Sequence, residues 1–195
     1  SNGASLVIFG DLQIEGDKNN KSKIEGLEPE YGSLILKGNT NNISNTLFKN
    51  LKAPNLKGFS LYGAVNFINS ENYIKNTIFE KSHSEDFVNF INSKTELENI
   101  ELMDTTSDAI DVDAGKLNFI NLKCKNIGND CLDFSNSEIS GKNFFSDKVQ
   151  DKSISVGEKS KVEIKNLNLD NSEIAIAVKD SSKANVSNIK INNST

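Results

Sequence analysis

VNFINS occupies residues 65–70 and returns unchanged at 88–93, 23 residues later. The apolar pair inside it, Val65/Phe67 and Val88/Phe90, belongs to a longer series: Leu12/Ile14, Leu34/Leu36, Ile110/Val112, Leu132/Phe134, Ile154/Val156 and Ile176/Val178. The steps between first members along the chain are 22, 31, 23, 22, 22, 22 and 22. A period of this size sets the architecture before any single residue is read. In each pair one residue separates the two apolar side chains, which is the period of a strand with one buried face. Val, Ile and Phe dominate these positions, as pleated surfaces favour.

A second column follows the first. It reads ISNTLF (43–48), IKNTIF (74–79), LENIEL (97–102), FINLKC (119–124), GKNFFS (141–146), IKNLNL (164–169) and VSNIKI (186–191). Its third place is always Asn: Asn45, Asn76, Asn99, Asn121, Asn143, Asn166 and Asn188. A short amide side chain tolerates left-handed backbone and bonds locally in a tight bend. Stacked on identical neighbours, it also forms an amide ladder. Two strand columns per unit at this period predict an all-β fold, a right-handed parallel β-helix of about eight coils with roughly 22 residues each. The 31-residue step holds LKAPNLKGFSL (51–61), which is expected to protrude as a loop.

Composition narrows the class. A chain of 195 residues is expected to form one domain over 1–195, here as a piece of a longer protein with other domains. The formal net charge of −5 and the absence of arginine argue against nucleic-acid partners. No apolar run approaches the ~20 residues of a membrane span. With His83 as the only histidine, no Cys/His metal spacing exists. Cys124 aligns with inward Leu102. Cys131 precedes inward Leu132 and is expected to face outward, which argues against a disulfide between them.

The chemistry concentrates in SEDFVNF, SDAIDVD and NDCLDFS. Aligned by coil, they place Asp86, Asp108, Asp111, Asp113, Asp130 and Asp133 on one face of neighbouring coils. Coils stack about 4.8 Å apart. Like charges at that spacing call for a cation, a lysine or a raised pKa. Hard oxygens on a rigid surface suit Ca²⁺, with Asp111, Asp113 and Asp133 as the ligands. Paired carboxylates also suit acid–base work on a sugar. The plain alternative is that aspartates at a strand's start cap backbone N–H groups. Asp86, Asn89 and Phe87, the one outward aromatic expected on this column, are candidates for contacting a glycan.

TSDAID, GNDCLDF and QDKSISVGEKS together resemble the catalytic coils of polygalacturonase-type glycoside hydrolases of the pectin-lyase-like superfamily. Those carry N-T-D-G, G/Q-D-D-C and G-H-G-I-S-I-G on three successive coils. The resemblance covers about residues 105–160 and implies catalytic roles for Asp108, Asp130 and Asp151. Asn129 stands where the family has its proposed general acid, and Asp151 where it has histidine. The downstream Arg-Ile-Lys motif has no counterpart. Polysaccharide lyases of the same superfamily offer another model, with Lys152 as base and Ca²⁺ on Asp111 and Asp133. The chain is also similar to uncharacterised β-helix segments of large secreted or surface bacterial proteins. The expectation is an extracellular or cell-surface, carbohydrate-related domain that binds or scaffolds. Its alternative is a polysaccharide-modifying enzyme using the aspartate face.

Overall fold

The computed structural model describes residues 3–58 and 60–194. It is a right-handed parallel β-helix of about seven turns, with no helix among the described residues. The chain visits three faces in each turn. Face A is built from Ser5–Phe9, Ser33–Lys37, Gly63–Ile68, Asp86–Ile91, Asp108–Asp113 and Leu132–Ser135, then residues 152–157 and 174–178. Face B holds Leu12–Glu15, Thr40–Ser44 and Glu71–Lys75, then residues 94–98, 116–120, 138–142, 161–165 and 183–187. Face C holds Ser22–Glu25, Thr46–Leu51 and Ile78–Ser82, then residues 100–105, 122–127, 144–149, 167–172 and 189–192. Each pass pairs in parallel with the passes before and after it. Val65↔Val88↔Ile110↔Leu132↔Ile154↔Ile176 is one unbroken column.

Three faces, rather than two columns, follow from the asparagines. Asn45, Asn76, Asn99, Asn121, Asn143, Asn166 and Asn188 all have φ between 48° and 62°. That left-handed geometry turns the chain from face B to face C in mid-run, so LENIEL is two strands meeting at Asn99. The predicted ladder is present. Asn99 donates to Asn76 at 2.9 Å, Asn121 to Asn99 at 2.8 Å, Asn143 to Asn121 at 2.8 Å, Asn166 to Asn143 at 2.9 Å and Asn188 to Asn166 at 3.0 Å. The other two corners use the same device, with positive φ at Asn69, Asn92, Ala114 and Asn136 on one and Asp104, Asn126, Lys148 and Asn171 on the other. A left-handed residue costs about 1–2 kcal/mol in an isolated chain. Amide ladders and coil stacking offset that cost at every turn.

Inward residues form one continuous core down the axis, from Leu34 and Leu36 to Val156, Leu167 and Leu169. Phe48 stacks on Phe79 and Phe67 on Phe90, each at 4.9 Å between ring centroids. Gly141 belongs to this packing. A Cβ there would lie 2.1 Å from Phe119 Cζ, so the ring of one coil fills the space its neighbour leaves empty. One interior row is polar and bonds along the axis: Asn41 donates to Asn72 at 2.8 Å and Asn72 to Thr95 at 3.0 Å, while the buried Asn41 Oδ1 has no partner.

Two sequence expectations are corrected here. Leu12/Ile14 does not open the face A series. These residues pair with Asn41 and Ile43 on face B, and the first face A pass is Ser5–Phe9, with Leu6 and Ile8 under Leu34 and Leu36. Cys131 does not face outward. It is fully buried and disulfide-bonded to Cys124, with 6.2 Å between Cα atoms. The reason lies at the corner between faces C and A, where two consecutive residues point inward. Phe79/Phe87 and Leu102/Ala109 fill the equivalent positions in earlier coils, and Ser146 donates to Ser153 at 2.8 Å in the next. Of the 51–61 insertion, Leu51 stays in face C opposite Ser82, while residues 52–55 have no regular structure and are tied to the coils by Lys52 N–H to Gly32 O at 2.9 Å and Ala53 N–H to Ser84 Oγ at 2.6 Å. Phe59 lies outside the described residues.

Candidate functional site

Face A carries three outward rows. The leading row runs Gly63, Asp86, Asp108, Asp130, Lys152. The central row runs Ile35, Asn66, Asn89, Asp111, Asp133, Ser155, Ala177. The trailing row runs Ile91, Asp113, Ser135, Gly157. The predicted aspartates therefore do share one surface, one coil apart. Phe87 does not belong to it. It is 0% exposed and packs edge-on against Phe79 at 5.6 Å, so the expectation of an outward aromatic is overturned by the double inward corner.

The leading row is tied to the backbone. Asp108 Oδ1 accepts from Asp130 N–H at 2.9 Å and from Asn129 Nδ2 at 2.6 Å. Asp130 Oδ1 accepts from Lys152 N–H at 2.9 Å and lies 3.4 Å from Lys152 Nζ. Lys152 Nζ also donates to Asp151. The residues matching the hydrolase motifs are thus occupied as caps and ion-pair partners. Asn129, in the general acid's place, spends its amide on Asp108. Burial pushes the Asp108 carboxyl up to about 6 against its two hydrogen bonds. Burial also raises Asp130, opposed by the N–H and charge of Lys152.

Asp86 and Asp111 are different. Neither caps a backbone group in this way. Asn89 bridges them, with Nδ2 donating to Asp86 Oδ2 at 3.1 Å and to Asp111 Oδ2 at 3.0 Å. Burial drives Asp86 up to about 7, with the Asn89 amide working against it. Burial drives Asp111 up to about 9, reinforced by the charges of Asp86, Asp113 and Asp133. Both shifts run in the direction that favours the protonated carboxyl, and in the structure both groups accept from the one Asn89 amide. Asn89 is 2% exposed, yet its Oδ1 has no hydrogen-bond partner, and the buried Ser155 Oγ is also without one. These orphaned oxygens flank Asp111 and Asp133 in the central row. Sequence reasoning named Asn89 but missed Ser155, whose register with Asp133 was its only signal.

The patch has definite ends. On the N-terminal side a Cβ at Gly63 would sit 2.7 Å from Asn66 Oδ1, which leaves no room for another carboxylate. On the C-terminal side Lys152 closes the leading row. Lys179 lies back over Gly157, where a Cβ would be 3.1 Å from its Cε. The donor chemistry of Asp111, Asp113 and Asp133 suits a hard cation. Among the described residues, however, no three acidic, histidine or cysteine side chains converge closely enough to cage a metal ion.

Scans of protein-family models, of curated proteins and of solved structures each find no match to this chain.

Proposed function

We propose that this is an extracellular or cell-surface, carbohydrate-related domain of pectin-lyase-like type, with the central part of face A contacting the glycan. The observation that carries the reading is the Asp86–Asn89–Asp111 bridge. It sets two carboxyls, both pushed towards the protonated form by burial, on one amide donor, with the buried and unpartnered Asn89 Oδ1 behind them. Sugar hydroxyls both donate and accept, so a row offering both capacities matches them. The buried Cys124–Cys131 disulfide supports an oxidising compartment. Among the described residues no helix is long and apolar enough to cross a membrane.

One observation favours the enzymatic alternative, a polysaccharide lyase or glycoside hydrolase. Burial and the charges of Asp86, Asp113 and Asp133 push the Asp111 carboxyl up to about 9, and Asp133 stacks on it one coil away. That is the raw material of general acid–base catalysis. In the lyase version Lys152 would serve as base, but it already holds Asp130 and Asp151. Ca²⁺ at Asp111 and Asp133 belongs to the same proposal.

The test is a screen of acidic and neutral polysaccharides by binding and by release of reducing or unsaturated ends, with Asp111→Asn/Asp133→Asn as control. Binding without product, lost in the double variant, supports the binding domain. Product formation lost in the variant moves the enzyme forward. Neither would reduce face A to a capped, solvated sheet. Thermal unfolding with and without millimolar Ca²⁺ decides the cation: a stabilisation that the double variant abolishes supports it, and no stabilisation removes it.

A further inference from the structure

The aspartates of face A form a row and not a cage. Asp86 lies on one coil, Asp108, Asp111 and Asp113 on the next, and Asp130 and Asp133 on the third. Two coil steps of about 4.8 Å spread them along the axis. Among the described residues no three converge on one point as the ligands of a single ion do. Positive charge beside them is committed or distant. Lys152 is held by Asp130 and Asp151, and Lys179 lies over Gly157. Glu85 adds its charge next to Asp86. Burial and like charge push Asp86 and Asp111 upward, the direction for carboxyls with no cation at hand.

A second observation is independent of charge. Asn66 Oδ1, Asn89 Oδ1 and Ser155 Oγ have no hydrogen-bond partner, on side chains whose residues are 0%, 2% and 0% exposed. All three belong to the central row, so they lie on the outward side of the sheet with Asp111 and Asp133. For Asn66 the place of the oxygen is explicit, 2.7 Å from where a Cβ of Gly63 would project from the leading row. Five successive coils thus present an acceptor in one line: Asn66, Asn89, Asp111, Asp133, Ser155. The donors beside them are in use. Asn89 Nδ2 serves Asp86 and Asp111, and Asn66 Nδ2 donates to Gly63 O at 2.6 Å.

The chemistry that answers this line is a donor with positive charge, repeated along a chain. A carboxylate only accepts, and an ammonium only donates, through three N–H groups. A uronate would bring like charge onto the row, and a sugar bearing hydroxyls alone would leave its charge unanswered. Tyr62 bears on the sugar. It stands at the corner where Gly63–Ile68 begins, one coil before Asp86, and is 56% exposed. An exposed tyrosine ring suits the apolar face of a sugar and attracts an ammonium as well. Resting on the glycan reading of face A, we infer that its ligand is an amine-bearing polysaccharide, a linear chain of amino sugars with free ammonium groups lying along the axis from Tyr62 across Asp86 and Asp111 to Asp133.

Isothermal titration calorimetry with chitosan oligosaccharides, their N-acetylated counterparts, oligogalacturonate and oligolysine tests this. The deacetylated oligomer should bind at least roughly tenfold more tightly than the acetylated one, and the uronate should not bind. Asp111→Asn/Asp133→Asn should weaken the deacetylated oligomer by roughly tenfold. Glu96→Gln/Glu98→Gln removes the same charge from face B and should leave its affinity unchanged. An equal loss in both double variants overturns the inference, because net charge alone would then explain binding. Acetylated or uronate oligomers bound as tightly through Asp111 and Asp133 keep the glycan reading and overturn the amine. Oligolysine bound as tightly as the amino sugar overturns the sugar. Binding of none overturns the inference and the glycan reading together. Should the aspartate double variant lose its circular dichroism signature, Asp113→Lys on the trailing row takes its place and should weaken binding to a similar degree. Unchanged affinity in that variant overturns the inference equally.

Discussion

Replacing Asp111 by Asn should stabilise the protein at pH 8 and do much less at pH 5. Its carboxyl, pushed to about 9 by burial and by Asp86, Asp113 and Asp133, has an ordinary value of 3.8. Because the folded value is the higher one, the group's contribution is fully present below pH 3.8 and is lost as pH rises from there towards 9. Linkage sets a ceiling of about 1.4 kcal/mol per pH unit for one group. Asp111 shares the Asn89 amide with Asp86, and a partly exposed group relaxes and gathers water, so the realised penalty at pH 8 is a fraction of that ceiling. Asparagine removes the titration while its side-chain oxygen still accepts from Asn89. The expected gain at pH 8 is about 1–3 kcal/mol, which in a domain of this size moves Tm by roughly 3–10 °C. At pH 5 the gain should fall below about 1 kcal/mol. Urea and thermal unfolding at both pH values, with a chelator present, measure it. A variant less stable than wild type at pH 8 would refute the argument, since it would mean that Asp111 is ionised in the fold and held by something favourable.

Gly141→Leu should cost about 2–3 kcal/mol, because the new side chain must displace the Phe119 ring from the core; chemical denaturation of the variant checks it. Asn121, at φ 59° and bonded to both neighbours in the ladder, should separate two effects: Asn121→Gly should cost about 1 kcal/mol and Asn121→Ala about 2, read from paired urea curves. Removing the disulfide should cost roughly 2 kcal/mol by the chain-entropy argument for so short a loop. The double Cys124→Ser/Cys131→Ser should lose less than either single serine, since it recreates the Ser146–Ser153 hydrogen bond of the next coil; differential scanning fluorimetry ranks the three.

The period and the Asn ladder were legible because each coil must repeat the same backbone, and repetition of backbone forces repetition of side chain at its strained points. Asn99 and Asn121 sit where only a residue tolerant of left-handed geometry survives, so they appear as a column. The third face was not legible. At Asn99 two adjacent residues, Glu98 and Asn99, point outward and inward Leu97 and Ile100 stand three apart, a slip of one place that reading each half of LENIEL as alternating passes over. Cys131 and Phe87 were misplaced for the opposite reason. At their corner two adjacent residues point inward, which breaks the alternation from which their direction was read. The pairs Leu102/Ala109 and Ser146/Ser153 held the missing signal, as co-registered apolar or small residues seven apart. At the site, sequence placed the aspartates on one surface but did not distinguish caps from free groups. Asp108 and Asp130 differ from Asp86 and Asp111 only in which backbone N–H lies within reach.

The ladders also have a direction. At the corner between faces B and C each amide points Nδ2 towards the preceding coil and Oδ1 towards the following one. Asn126, Asn171 and Asn193 repeat that sense at a second corner. Aligned amide dipoles add, as they do along an α-helix. The stack therefore has an electrical axis, positive at its first coil and negative at its last. Residues 5–30, at the positive pole, carry six carboxylates against three lysines, and residues 173–194, at the negative one, three lysines against two carboxylates. This is how side-chain charges complement a helix, accomplished here in a protein that has no helix among its described residues.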